Sequence, residues 1–89
     1  MPFGPYGCMC ALPGHADTRF VLMLGYVPRG VAKVSVRTAD GREHAATIFD
    51  KGREWVWVAR AVHARRPVAL IRRNAAGAVV AQLKLRGWG

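Results

Sequence analysis

Serine and asparagine occur once each in this chain, as Ser35 and Asn74, and acidic side chains number only five. That scarcity weighs against hydrolytic chemistry. The lone serine sits in an alternating stretch with no glycine-rich elbow, and Asp40 and Asp50 lie where turns need them, so no catalytic residue is expected. Long apolar runs are missing too. Phe20 to Pro28 falls far short of the ~20 residues that span a bilayer, and no membrane span is expected. The first eighteen residues, MPFGPYGCMCALPGHADT, lack a basic start and a continuous apolar stretch, so they do not read as a signal peptide. Prolines and glycines break that segment up, which predicts an irregular N-terminal arm over 1–18 and a single domain over 19–89. At 89 residues the core is thin, and a partner or an oligomer is a common remedy.

What is abundant is arginine. Fourteen Lys and Arg against five Asp and Glu give a net charge of +9, with nine basic and one acidic side chain in residues 51–89. Such a field draws in polyanions and makes their binding sensitive to salt. The excess of Arg, Ala, Gly and Val is equally how a high-GC genome spells an ordinary surface. Arg60, Arg65, Arg66, Arg72, Arg73, Lys84 and Arg86 are the residues that would carry a polyanion-binding surface.

From Arg19 onward apolar residues recur with a period of two. RFVLMLGYV (19–27), VAKVSVRT (31–38), EHAATIF (43–49), EWVWVARAV (54–62), PVALIRR (67–73) and AVVAQLKLR (78–86) predict six short strands. The connectors PRG, ADG, DKG and AAG each end in glycine, suiting the left-handed position of a three-residue hairpin loop. An all-β antiparallel meander folded into a small β-sandwich is the expectation.

Loop length then fixes register. A loop of Ala39 to Gly41 pairs Thr38 with Arg42, Val36 with His44, Val34 with Ala46 and Ala32 with Ile48, leaving Lys33, Ser35 and Arg37 on the other face. A loop of Ala75 to Gly77 pairs Asn74 with Ala78, Arg73 with Val79, Ile71 with Ala81 and Ala69 with Leu83. It turns Ile71, Val79, Ala81, Leu83 and Leu85 inward and Arg72, Gln82 and Lys84 outward. In EWVWVARAV both faces are apolar, as in a central strand of a sandwich or one covered by another chain.

GYVPRGVAKVSVRTADGREHAATIF, the aromatic and valine strand after it, and RPVALIRRNAAGAVVAQLKL together resemble a small C-terminal module of uncharacterised actinobacterial proteins. The resemblance covers about Phe20 to Leu85 and is closest at Val27 to Arg42 and Asn74 to Gly77. It implies an immunoglobulin-like or related β-sandwich with no catalytic residues to carry over. Shortness, a Cys-bearing arm and strong basicity are where this chain departs from the pattern.

Chemistry-bearing residues are few. Cys8, Cys10 and His15 offer three ligands of the kind zinc takes, with His44 or His63 as a distant fourth, but CMCALPGH is not a strong metal signature, and two free thiols are the simpler reading. Cys-x-Cys is also a poor disulfide pair, and no cofactor is expected. His44 is expected at the edge of the apolar face, partly buried and satisfied. Trp55, Trp57, Tyr26 and Trp88 are base-stacking candidates. The small Ala59 and Ala61 beside Trp55 and Trp57 favour core packing for those two instead. A non-catalytic domain that binds a protein, or its own copy, is the leading expectation, and a basic polyanion-binding module the alternative.

Overall fold

The computed structural model describes residues 6–12 and 15–85. Eight strands run in chain order: β1 (Tyr6–Leu12), β2 (His15–Tyr26), β3 (Lys33–Thr38), β4 (Glu43–Ala45), β5 (Thr47–Phe49), β6 (Glu54–Arg60), β7 (Pro67–Arg73) and β8 (Val79–Lys84). They form two four-stranded sheets, sheet A in the order β1-β2-β6-β5 and sheet B in the order β4-β3-β7-β8, all pairings being antiparallel. The protein is an all-β sandwich, as the alternation predicts. Among the described residues no helix is long and apolar enough to cross a membrane.

Alternation decides which side chains meet between the sheets. Val21 and Met23 of β2, Trp55 and Trp57 of β6, Val34 and Val36 of β3, and Leu70 of β7 are buried in one cluster. The two strand tryptophans are thus core residues rather than exposed platforms. Gly25, paired with Trp55, leaves room for the indole: a Cβ there would lie 2.8 Å from Trp55 Nε1.

Chain connections differ from a simple meander. Four connections, β1–β2, β3–β4, β5–β6 and β7–β8, join antiparallel neighbours within a sheet, while the β2–β3, β4–β5 and β6–β7 connections each pass from one sheet to the other. Pro28-Arg29-Gly30 accordingly makes a sheet-crossing turn, closed by Val31 N–H donating to Pro28 C=O at 3.1 Å, with Gly30 at φ 85°. The ADG and AAG hairpins form as expected, with Gly41 at φ 86° and Gly77 at φ 88°. DKG closes differently. Asp50 and Lys51 both adopt positive φ, 51° and 56°, and Gly52 N–H bonds back to Phe49 C=O at 3.1 Å, a mirror-image turn that matches the twist of its strands.

Three further expectations are corrected. The stretch 43–49 is not one strand: Ala46 N–H makes the last bond to Val34 C=O, and Thr47 then pairs with Val56 in sheet A, so Ile48 never meets Ala32. The last hairpin keeps the Asn74–Ala78 and Arg73–Val79 pairs but bulges at Val80, so that Arg72 opposes Ala81 and Leu70 opposes Leu83. Leu70 and Arg72 therefore share the inner face with Val36 and Val34, Ile71 lies on the opposite face beside Ser35 yet is fully buried there, and Val79 is exposed rather than inward. The N-terminal stretch read as irregular runs as strand over Tyr6–Leu12, paired on β2.

Candidate protein-interaction site

The outer face of sheet A is built by the same alternation that builds the core. With Val21, Met23 and Gly25 turned inward, β2 must present Phe20, Leu22, Leu24 and Tyr26 outward. β6 likewise presents Glu54, Val56, Val58 and Arg60. Thr47 and Phe49 of β5 extend the same face, because they pair with Val56 and Glu54. Leu24 is 38% exposed, Tyr26 73%, Phe49 45% and Val58 54%. Those four side chains leave on the order of 400 Å² of mostly apolar surface in contact with water, the size at which a patch on a monomer is commonly functional.

Beside this face the sandwich is open. β5 covers β6 only from Glu54 to Val56, and its preceding residues veer away into sheet B. A cleft of about 460 Å³ occupies the gap, lined by His44, Ala45 and Thr47 on one side and Val56, Trp57 and Val58 on the other. His44 lies against Trp57 with ring centroids 5.9 Å apart and planes tilted by 45°.

A hydrogen-bond chain holds His44 in place. Thr38 Oγ1, fully buried, donates to Asp40 Oδ1 at 2.5 Å, and His44 Nε2 stands 3.1 Å from the same hydroxyl. A hydroxyl has one proton, so His44 Nε2 is the donor to Thr38. This polarity is the reverse of what a histidine base needs to activate a hydroxyl, and the trio serves the β3–β4 turn. Asp40 also accepts from Arg42 N–H at 3.1 Å. The Thr38 hydrogen bond, aided by that backbone N–H, holds the Asp40 carboxyl below the usual range.

The outer face of sheet B has a different character. Lys33, Ser35 and Arg37 of β3, Ala69, Ile71 and Arg73 of β7, and Gln82 and Lys84 of β8 share it. Arg73 donates both Nη groups to Glu43, Nη2 to Oε1 at 3.1 Å and Nη1 to Oε2. This fork bridges over β3, and Ser35 beneath it is buried. Arg73 pulls the Glu43 carboxyl below its ordinary pKa by that bond, and its own pKa rises in return. Farther along, a shallow groove of about 430 Å³ is lined by Arg37, Val68, Ala69, Gln82 and Lys84.

Of the seven basic residues singled out in the sequence, the six among the described residues do not converge. Arg60 is exposed on sheet A, while Arg65 and Arg66 belong to the β6–β7 connection, where a short 3-10 turn spans His63–Arg65. Arg72 turns inward with its Nε buried and without a hydrogen-bond partner, correcting the expectation that it points out. Arg73 is engaged by Glu43, and Lys84 lies on sheet B beside Arg37. Lys33 and Arg37, which do share a face with Lys84, were missed, although their alternation with Val34 and Val36 was the available signal. Arg86 and Trp88, and the side chains of Cys8, Cys10, His15 and His63, lie outside the described residues. Among the described residues no group of three metal-ligating side chains gathers. Comparison with known proteins finds no matching family model, no matching curated protein and no matching solved structure.

Proposed function

We propose that the chain is a non-catalytic, immunoglobulin-like β-sandwich module that works by binding a protein through the outer face of sheet A. The observation that carries this reading is the largely apolar surface of Leu24, Tyr26, Phe49 and Val58, with Glu54 between Tyr26 and Phe49, exposed on strands whose opposite face already fills the core. Strand order supports the immunoglobulin-like part. In such domains the first, second, fifth and fourth principal strands form one sheet and the third, sixth and seventh the other. Taking β4 as an added edge strand, sheet A and sheet B follow that order. Charge sets the partner's chemistry: a chain of +9 repels its own copy and attracts an acidic surface.

The test is selection of binders from a displayed library of small proteins, mapped by hydrogen exchange and challenged with Tyr26→Ser and Leu24→Ser. Binders protecting β2, β5 and β6 and lost in the variants support the reading. Binders that protect only sheet B overturn it.

A second reading, a polyanion-binding module, draws on Lys33, Arg37 and Lys84 sharing the outer face of sheet B. Fluorescence anisotropy with single-stranded DNA at low and moderate salt tests it. Salt-sensitive binding weakened by Arg37→Glu is the result that favours it, and no binding at low salt removes it.

A further inference from the structure

We propose that the open edge of β6 at Val58 and Arg60 is a strand-addition site for an extended, acidic segment of a partner protein. The inference rests on the protein-binding reading above and specifies where on that surface the partner's main chain docks.

The first observation is a backbone one. In an antiparallel ladder, successive residues direct their peptide groups alternately to one neighbour and the other. Ala61 N–H bonds to Arg19 C=O and Val27 N–H to Arg53 C=O, which assigns the odd-numbered residues of β6 to β2. The even-numbered residues therefore point toward β5. Glu54 and Val56 are paired there with Phe49 and Thr47, but Val58 and Arg60 are paired with nothing on that side among the described residues. The Arg60 C=O is used locally by Val62 N–H at 2.9 Å. Left over are the N–H and C=O of Val58 and the N–H of Arg60, spaced as the next rungs of the β5–β6 ladder.

The second observation is the space beside those groups. An added strand lies ~4.8 Å from its neighbour, and the cleft between His44, Ala45 and Thr47 and the β6 edge is where such a strand would run. One of its side chains would face inward onto the His44–Trp57 pair, so a small apolar residue fits there. Its outward neighbours would continue the apolar face at Val58. Pairing by backbone supplies affinity, and alternate side chains supply selectivity.

The third observation is charge. Arg60 is exposed on the open edge itself. Asp40 N–H bonds to Ala64 C=O and Ala39 N–H to Arg66 C=O, so the turns bearing exposed Arg42 and Arg65 close together at one end of the sandwich. Asp40 is already committed to Thr38 and to Arg42 N–H, and Glu43, next to Arg42, is held by Arg73. Carboxylates on the incoming strand meet arginines, whereas a second copy of this chain brings more positive charge.

The experiment uses an acetylated and amidated eight-residue peptide of alternating Glu and Val, titrated into the ¹⁵N-labelled full chain. Expected are amide protons of Val58 and Arg60 that shift and exchange at least about tenfold more slowly at saturation. A Lys-Val peptide binds about tenfold more weakly, a backbone N-methylated Glu-Val peptide does not bind, and Arg60→Glu reverses the charge preference. Val58→Pro removes an N–H that makes no bond to β2, so the variant folds but loses the peptide. Should that variant unfold, Arg60→Glu and the N-methylated peptide still decide. Binding that perturbs Leu24, Tyr26 and Phe49 while leaving the Val58 and Arg60 amides unprotected overturns strand addition and leaves the protein-binding reading standing. Absence of Glu-Val binding at millimolar concentration also overturns it. A dimer of the free chain that Val58→Pro disperses would instead identify a second copy as the occupant.

Discussion

Among the described residues Trp55 is the largest fully buried side chain, and it is there because residue 25 has no side chain. Gly25→Ala sets a methyl against the indole and should destabilise the fold by about 1–3 kcal/mol in a denaturant titration. Trp55→Ala, which empties the site, should cost about 3–5 kcal/mol. Backbone strain gives a change of the opposite sign. Lys51 holds φ 56° in a turn that favours glycine, so Lys51→Gly should raise stability by about 0.5–1 kcal/mol in the same assay. Acid acts on Asp40 and Glu43, whose folded-state pKa values are held down by Thr38 and Arg73 respectively. A depressed carboxylate pKa contributes stability that is fully present above the unfolded value and is lost as pH falls through the folded one. The thermal midpoint should therefore fall as pH drops below about 4, and Glu43→Gln should flatten that limb of the profile.

At the scale of strands and turns, most of the fold is legible in the sequence. Glycines at the ends of ADG and AAG mark left-handed positions, and loop length then fixes the Val36–His44 and Arg73–Val79 pairs, both present. Illegible were the places where a strand does something that a period of two cannot encode. EHAATIF alternates without a break, yet it leaves sheet B at Ala46, because a chain bridging two sheets keeps the same apolar positions in the core. The bulge at Val80 was hidden for a similar reason, since two adjacent valines read equally well in either register. Deleting Val80 should regularise the ladder, keep Leu83 inward and change stability by less than about 1 kcal/mol, as measured by thermal melts. Deleting Gln82 instead turns Leu83 outward and should prevent cooperative unfolding. The candidate site was half legible. Apolar residues on both faces of β6 signalled a covered strand, but its open edge depends on where β5 begins, since the chain joins β6 only at Thr47, opposite Val56.

Taken whole, the molecule has two unlike outer surfaces. Sheet A offers Leu24, Tyr26 and Val58, and sheet B offers Lys33, Arg37 and Lys84. The basic excess visible in composition is spread over both sheets and the end turns, so it acts as a long-range field rather than as one contact surface. Salt should accordingly slow association with an acidic partner more than it speeds dissociation, a difference that stopped-flow kinetics at several ionic strengths measures. The three sheet-to-sheet crossings carry a consequence for folding. Phe20 pairs with Arg60 and Lys33 with Arg73, so the central ladder of each sheet joins residues up to forty positions apart. Neither sheet can close from one half of the chain, and local hairpins alone bury little. Folding dominated by such distant partners belongs to the millisecond-to-second class. During that interval the β6 edge at Val58 and Arg60, which the β5–β6 hairpin leaves unpaired, is open to other chains, and the exposed Arg60 charge should oppose two unfinished chains zipping together there.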